Sequence, residues 1–278
     1  MTEPSPLSFF GPGLDPGPSF VELARQVRPS ILPGMGLDPS TRDGAPLFSA
    51  DVPHGTTVLA IRYAGGVVMA GDRRATAGYS IASRRIEKVF PADELSGVAI
   101  AGAAGPAVEL VKLFQVQLEH YEKVQGDMLS LDGKANQLAQ LVRANLPAAM
   151  SGFVVVPLFA GYDPQREVGR VFSYDVTGGR YEEADFQTQG SGSVHARNWI
   201  KAAWREGLSA DDATVLAIRA LFAAADEDVA TGGPDLVRRI FPTVARISGD
   251  GYQPLDEAAV EALAQAALNG AERGGDPQ

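Results

Sequence analysis

The chain has no cysteine. Disulfides, thiol nucleophiles and cysteine-ligated zinc are therefore excluded outright. Histidine is almost as scarce, with only His54, His120 and His195. These are scattered over a leader and two helical stretches, so a Ser-His-Asp triad is a poor fit and all three read as surface or packing residues. No ligand cluster supports metal catalysis, and no cofactor is expected. Basic charge is in deficit, with 24 Lys and Arg against 34 Asp and Glu and a formal net charge of −10. That balance argues against nucleic acid or an anionic membrane as partner. No apolar run approaches the roughly 20 residues of a membrane span, and the segment after Glu3 carries repeated prolines in place of the basic and apolar regions of a signal peptide. Trp199 and Trp204 are the two tryptophans; both fall in a helical stretch and read as packing residues rather than a ligand stack. A cytoplasmic location is the expectation.

What the chain does have is material for one full-sized domain and something more, at 278 residues and 45% hydrophobic. The surplus lies at the front. The first 53 residues are crowded with Pro, Gly, Ser and Asp, whereas Thr56 to Tyr63 (TTVLAIRY) shows the β-branched and apolar alternation of a strand. The switch falls at His54-Gly55-Thr56-Thr57. Breaking the Gly55–Thr56 bond would give Thr56 a free α-amine, whose reference pKa of about 8 leaves a fraction neutral near pH 7. Base and nucleophile would then belong to one residue, the threonine form of nucleophilic catalysis that needs no histidine. The expected organisation is a propeptide over residues 1–55, one domain over 56–268 and a flexible tail over 269–278.

Within the leader, Ser19 to Val27 spaces Phe20, Leu23 and Val27 as a short capped helix. Beyond Thr56, Ala64-Gly65-Gly66 turns the first strand into a second at Val67 to Asp72. Strands at Ile86 to Phe90 and Val98 to Ile100 are separated by a turn-rich stretch from Pro91 to Gly97. Helices at Pro106 to Lys123 and Ala135 to Met150 carry apolar residues at three- and four-residue spacing. Three strands follow, at Phe153 to Tyr162, Gly169 to Val176 and Arg180 to Gln187. Two helices, Val194 to Glu206 and Asp211 to Asp228, then lead to a strand at Thr243 to Ile247 and a helix at Leu255 to Leu268. Blocks of strands followed by pairs of helices do not suit a doubly wound parallel sheet, in which single strands and helices alternate. The predicted class is α+β, with two antiparallel sheets covered by helices.

Asp72 and Lys88 sit at or near strand ends that the hairpin order brings toward Thr56. Taken alone, they read as a turn aspartate and a surface lysine. Beside a threonine amine, a buried lysine would disfavour protonation of that amine, and Asp72 would supply the countercharge. Gly102 lies among the small residues from Ala101 to Gly105, just before a helix. Its unshielded N–H could hold an oxyanion, although such turns more often serve packing. Gly190-Ser191-Gly192-Ser193 has the composition of a phosphate-cradling loop without its lysine or spacing, so a tight turn carrying a useful hydroxyl is the better reading.

The run TTVLAIRYAGGVVMAGDRRATAGYSIASRRIEKVF, followed by AIAGAAG, ELVKLFQVQLEHYEK, GSGS and DVATGGPD, resembles the β subunit of actinobacterial 20S proteasomes over nearly all of Thr56 to Ile247. The resemblance implies the N-terminal-nucleophile hydrolase sandwich, a four-layer αββα arrangement that agrees with the element order. It implies that Thr56 is the nucleophile, released by self-cleavage after Gly55. Asp72 and Lys88 would be its charge pair, Gly102 its oxyanion donor, and Ser191, Asp228 and Thr231 the supporting hydroxyls and carboxylate; many relatives have serine where Thr231 stands. Thr76 and Ala104 match positions whose backbones hold the substrate as an added strand. Ala75, Ile86, Phe90, Ile100, Ala104 and Val108 are the implied lining of an apolar pocket, for cleavage of unfolded proteins after hydrophobic residues. The implied partners are a homo-heptameric β ring stacked on a second, flanking rings of α subunits, and a regulatory ATPase ring. Three rivals stay open: a two-component bacterial threonine peptidase, whose shorter subunits usually lack so long a leader; a catalytically silent ring subunit, disfavoured by Thr56, Asp72 and Lys88 together; and an amidase of the same nucleophile class acting on a small molecule.

Overall fold

Alternation along the first strand decides the layering. Val58 and Ala60 point to one side of it and Leu59 and Ile61 to the other, and all four are fully buried. Such a strand must have a packed layer on each face. The computed structural model describes residues 55–77 and 80–273; the helix expected at Ser19 to Val27 lies outside the described residues.

The strands are β1 (Thr57–Tyr63), β2 (Gly66–Gly71), β3 (Ala75–Ala77), β4 (Ser80–Ser83), β5 (Val89–Asp93), β6 (Ser96–Gly102), β7 (Val155–Asp163), β8 (Val168–Tyr174), β9 (Arg180–Glu183), β10 (Phe186–Gly190), β11 (Thr243–Ser248) and β12 (Gly251–Pro254). The helices are α1 (Ala104–Gln125), α2 (Leu131–Ala144), α3 (Leu146–Met150), α4 (Ser193–Ala203), α5 (Ala210–Glu227) and α6 (Glu257–Arg273). One sheet has the order β10-β1-β2-β11-β12, the other β5-β6-β7-β8-β9, and β3 pairs with β4 as a separate ribbon. Every pairing is antiparallel.

Three apolar clusters separate four layers. Between the sheets, Val58, Ala60, Val67 and Met69 meet Ala99, Ala101, Leu158 and Ala160. Behind the second sheet, Phe159 and Phe172 pack with Phe114 and Leu118 of α1 and Leu138 of α2. Phe114 meets Phe159 edge to face at 5.8 Å, the arrangement aromatic quadrupoles favour. Behind the first sheet, Leu59, Ile61 and Val68 pack with Ile200 of α4, Ile218 and Leu221 of α5 and Val260 of α6. The layers therefore run helices, sheet, sheet, helices, as the element order predicts. Among the described residues no helix is long and apolar enough to cross a membrane.

Several expectations are corrected. The strand predicted over Arg180 to Gln187 is two, broken at Ala184-Asp185, and β10 crosses to pair with β1 in the other sheet. Pro91 lies inside β5 rather than in a turn; β5 is a sheet edge, where a missing N–H forfeits no ladder bond. The short strands β3, β4 and β12 were not anticipated by alternation, which needs longer runs. The last helix continues to Arg273, so the tail expected from residue 269 is helical that far.

Candidate active site

The β1–β2 hairpin brings Asp72 back to the start of β1, because its register sets Val58 opposite Gly71. Thr57 N–H donates to Asp72 Oδ1 at 2.8 Å, and Asp72 Oδ2 accepts from Arg74 N–H at 2.9 Å and Gly232 N–H at 2.8 Å. The Asp72 side chain is wholly excluded from solvent. Lys88 enters just before β5, from the other sheet. Its Nζ lies 2.6 Å from Asp72 Oδ1, 2.7 Å from Arg74 O and 3.2 Å from Gly55 O. Three ammonium hydrogens thus meet three acceptors. Burial is the strongest influence on this ammonium and holds it below the ordinary lysine range, with Asp72 opposing the shift.

The Gly55 carbonyl oxygen has a second donor, the Thr56 hydroxyl at 2.6 Å. The hydroxyl therefore rests against the peptide bond that precedes its own residue. Gly55 is tightly enclosed: a Cβ there would lie 2.5 Å from Ala230 Cβ and 2.7 Å from Thr76 Oγ1. No side chain fits without displacing the chain.

Ser191, Asp228 and Thr231 converge from the opposite side. Pairing of Thr57 with Gly190 sets Ser191 beside Thr56, where Ser191 N–H donates to Thr56 O at 2.8 Å and Thr56 N–H to Ser191 Oγ at 3.4 Å. Asp228 ends α5. Its Oδ2 accepts from Ser191 Oγ at 2.5 Å and Thr231 Oγ1 at 2.6 Å, and its Oδ1 from Ala230 N–H at 3.1 Å. Burial works to raise this carboxyl, but the three donors outweigh it and hold the group below its ordinary value.

Gly102 closes β6 with φ 119°, a left-handed conformation that side chains disfavour. It lines a cleft with Thr56, Ala75, Ile86, Ile100, Ala104 and Val108. The donors to the Gly55 carbonyl in this uncut chain are Lys88 and Thr56. Phe90 is not in the cleft wall: it packs against the cluster formed with α1 and α2, on the same sheet face as Ile100, but it stands opposite Val98, two residues farther from Gly102 than Ile100 is. Gly55, Lys88, Ala107 and the exposed Glu87 complete the lining, so the wall carries an exposed carboxylate and the buried Lys88 where an apolar lining was expected. Thr76, on β3, borders Gly55 rather than the cleft floor.

All the expected polar residues are thus gathered around Thr56. Sequence reasoning missed Thr57, whose side chain meets Thr231, and the carbonyl of Arg74. A main-chain acceptor leaves no residue-type signal. Ala230 could have been found, since it lies within DVATGGPD between Asp228 and Thr231.

A four-layer αββα sandwich of two antiparallel sheets between helices is the fold of the N-terminal-nucleophile hydrolases, and here a threonine lies at its mouth beside a buried Lys–Asp pair. Residues 52–237 match the family described as proteasome subunit. The chain is 57% identical to a proteasome subunit beta of Acidimicrobium ferrooxidans over 258 residues, 93% of this chain and 92% of that protein. It is 52% identical to a proteasome subunit beta of Streptomyces griseus over 264 residues, 95% of this chain and 91% of that one. The chain belongs to the proteasome subunit family, and its likeness is to the β subunits of the actinobacterial proteasome core.

Proposed function

We propose that this chain is a catalytic β subunit, a threonine endopeptidase made active by releasing its own residues 1–55. The observation that carries the reading is the placement of the Thr56 hydroxyl 2.6 Å from Gly55 O, with the Lys88 ammonium on the same oxygen. In self-cleavage, Thr56 Oγ bonds to the Gly55 carbonyl carbon, the C–N bond breaks, and the nitrogen gains the proton that the hydroxyl loses. Water then opens the ester, leaving a Gly55 carboxylate and a free Thr56 amine. Lys88 stabilises charge developing on the Gly55 oxygen.

In turnover, Thr56 Oγ attacks a substrate carbonyl while its own amine takes the proton and passes it to the departing amine. Gly102 N–H holds the oxyanion, and water hydrolyses the acyl ester. Before release the Thr56 nitrogen is an amide and cannot serve as base, so the leader keeps the site silent. The walls given by Ala75, Ile86, Ile100, Ala104 and Val108 favour a hydrophobic residue before the cut, and Thr76 and Ala104 offer backbone to an extended peptide. On this reading the subunit forms homo-heptameric β rings, two per particle, between α rings that receive unfolded proteins from an ATPase ring in the cytoplasm.

The test is intact mass of the chain, wild type beside Thr56→Ala, each produced with its α partner. The expected result is a wild-type product beginning at Thr56 and a full-length mutant. An uncut wild-type chain in complete particles would leave the scaffold reading, and turnover of acylated amines without turnover of peptides would leave the small-molecule amidase.

A further inference from the structure

The second threonine of the pair is as buried as any side chain in the core. Thr57 is 0% exposed, as is Thr231, and their hydroxyl oxygens are 2.6 Å apart. A buried hydroxyl must be paired, and the direction of this pairing follows from counting hydrogens. Thr231 has a single hydroxyl hydrogen, and at 2.6 Å from Asp228 Oδ2 that hydrogen belongs to the carboxylate, which can only accept when ionised. The hydrogen between the two threonines is therefore Thr57's.

On the far side of Asp228, Ser191 commits its hydrogen to the same Oδ2 at 2.5 Å. Its oxygen is thereby left to accept from the Thr56 nitrogen. The chain of donors reads Thr57 to Thr231 to Asp228 from one end, and Thr56 nitrogen to Ser191 to Asp228 from the other. It begins and ends on adjacent residues, Thr57 at the first position of β1 and Thr56 just ahead of it. The loop accommodates it at Gly192, where a Cβ would lie 2.5 Å from Thr57 Oγ1 and 2.7 Å from Thr231 Oγ1.

We propose that Thr57 is a positioning residue for the catalytic amine: its hydroxyl fixes Thr231 on Asp228, and through Asp228 sets how Ser191 meets the nitrogen of Thr56. Thr57 touches neither substrate nor the reacting atoms, and the inference rests on the peptidase chemistry proposed for Thr56. Donation from Thr57 polarises the Thr231 hydroxyl and makes it the stronger donor to Asp228, since hydrogen bonds in a buried chain reinforce one another. Without that donation more negative charge stays on the carboxylate, the nearby ammonium form of Thr56 is favoured, and the amine becomes a base only at higher pH.

The experiment uses the full chain produced with its α partner, as wild type, Thr57→Val and Thr57→Ser. Intact mass, kcat and KM on a reporter peptide with a hydrophobic residue before the cut, and the pH–rate profile are read together. Thr57→Val keeps the shape and deletes the hydroxyl. It is expected to lower kcat about five- to tenfold, the factor corresponding to one net hydrogen bond. KM should hold and the acid limb should move to higher pH, and Thr57→Ser should restore both. Wild-type kcat with an unmoved acid limb in a processed Thr57→Val enzyme would overturn the inference, as would a loss that serine does not rescue. If valine blocks assembly, Thr57→Ser against Thr57→Ala isolates the hydroxyl, and equal pH profiles there overturn it. A wild-type particle without Thr56-dependent turnover would instead overturn the peptidase reading and this inference with it, so the two failures are distinguishable.

Discussion

Lys88 and Asp72 form a pair 2.6 Å apart, with the lysine side chain 4% exposed and the aspartate side chain not at all. Asp72 follows β2 and Lys88 precedes β5, strands of different sheets, so the pair ties the two layers together beside the Gly55 carbonyl.

Asp72→Asn leaves the Lys88 ammonium buried without its countercharge. Removing one partner of a buried ion pair costs about 3–5 kcal/mol, so the melting temperature should fall and the Gly55–Thr56 bond should stay intact. Thermal unfolding and intact mass read the two effects. An unchanged melting temperature would contradict the buried pair.

Gly55→Ala places a methyl group against Ala230 and Thr76. The Gly55 carbonyl must then move off Thr56 Oγ, and misplacement of about 1 Å costs on the order of 100-fold in rate. Pulse-labelled chains should show slowed release of Thr56, while enzyme that has been processed should turn over normally, because Gly55 is gone. Processing at the wild-type rate would show that the enclosure of Gly55 has no part in cleavage.

Ala104→Leu fills the cleft beside Ile100 and Val108. Hydrophobic pockets discriminate by roughly 10–200-fold per small change in bulk, so cleavage after phenylalanine should fall by about that factor relative to cleavage after alanine. The ratio of kcat/KM for two reporter peptides measures it. An unaltered ratio would place the specificity pocket elsewhere.

Asp132, at the start of α2, accepts from Arg170 at 2.7 Å and Arg180 at 3.0 Å. The Arg170 bond above all lowers its carboxyl from 3.8 to about 2. A carboxyl lowered by folding contributes stability that is present above its unfolded value and lost as pH falls through the folded one. Acid unfolding between those two values should therefore be shallower in Asp132→Asn than in wild type, because the variant has no such proton to take up. Urea midpoints at a series of pH values test this, and parallel curves would sink it.

Long, strongly patterned stretches were the most legible in the sequence. TTVLAIRY announced β1, and the spaced leucines of α1 and α2 announced helices, because each writes its own periodicity. The β9–β10 break was not legible: no glycine or proline falls between Arg180 and Gln189 to mark it, yet the chain changes sheets at Ala184-Asp185. Phe90 was misplaced for a related reason. Alternation puts it on the same face as Ile100, but does not say how far along the strand the cleft reaches.

Residue order alone establishes that a threonine stands where a Pro- and Gly-rich segment gives way to a strand, that cysteine is absent and histidine scarce, and that strands and helices come in blocks. Those are local properties, set by residue type and spacing. The tertiary structure alone decided that Asp72, Lys88, Ser191, Asp228 and Thr231 meet around Thr56. It alone decided that Lys88 divides its hydrogens among Asp72, Arg74 and Gly55. Thr57 and Thr231 are 174 positions apart in the chain yet 2.6 Å apart in space. Such contacts arise when two sheets bury their facing apolar sides and fix the relative position of every strand end, a condition that no single stretch of sequence contains.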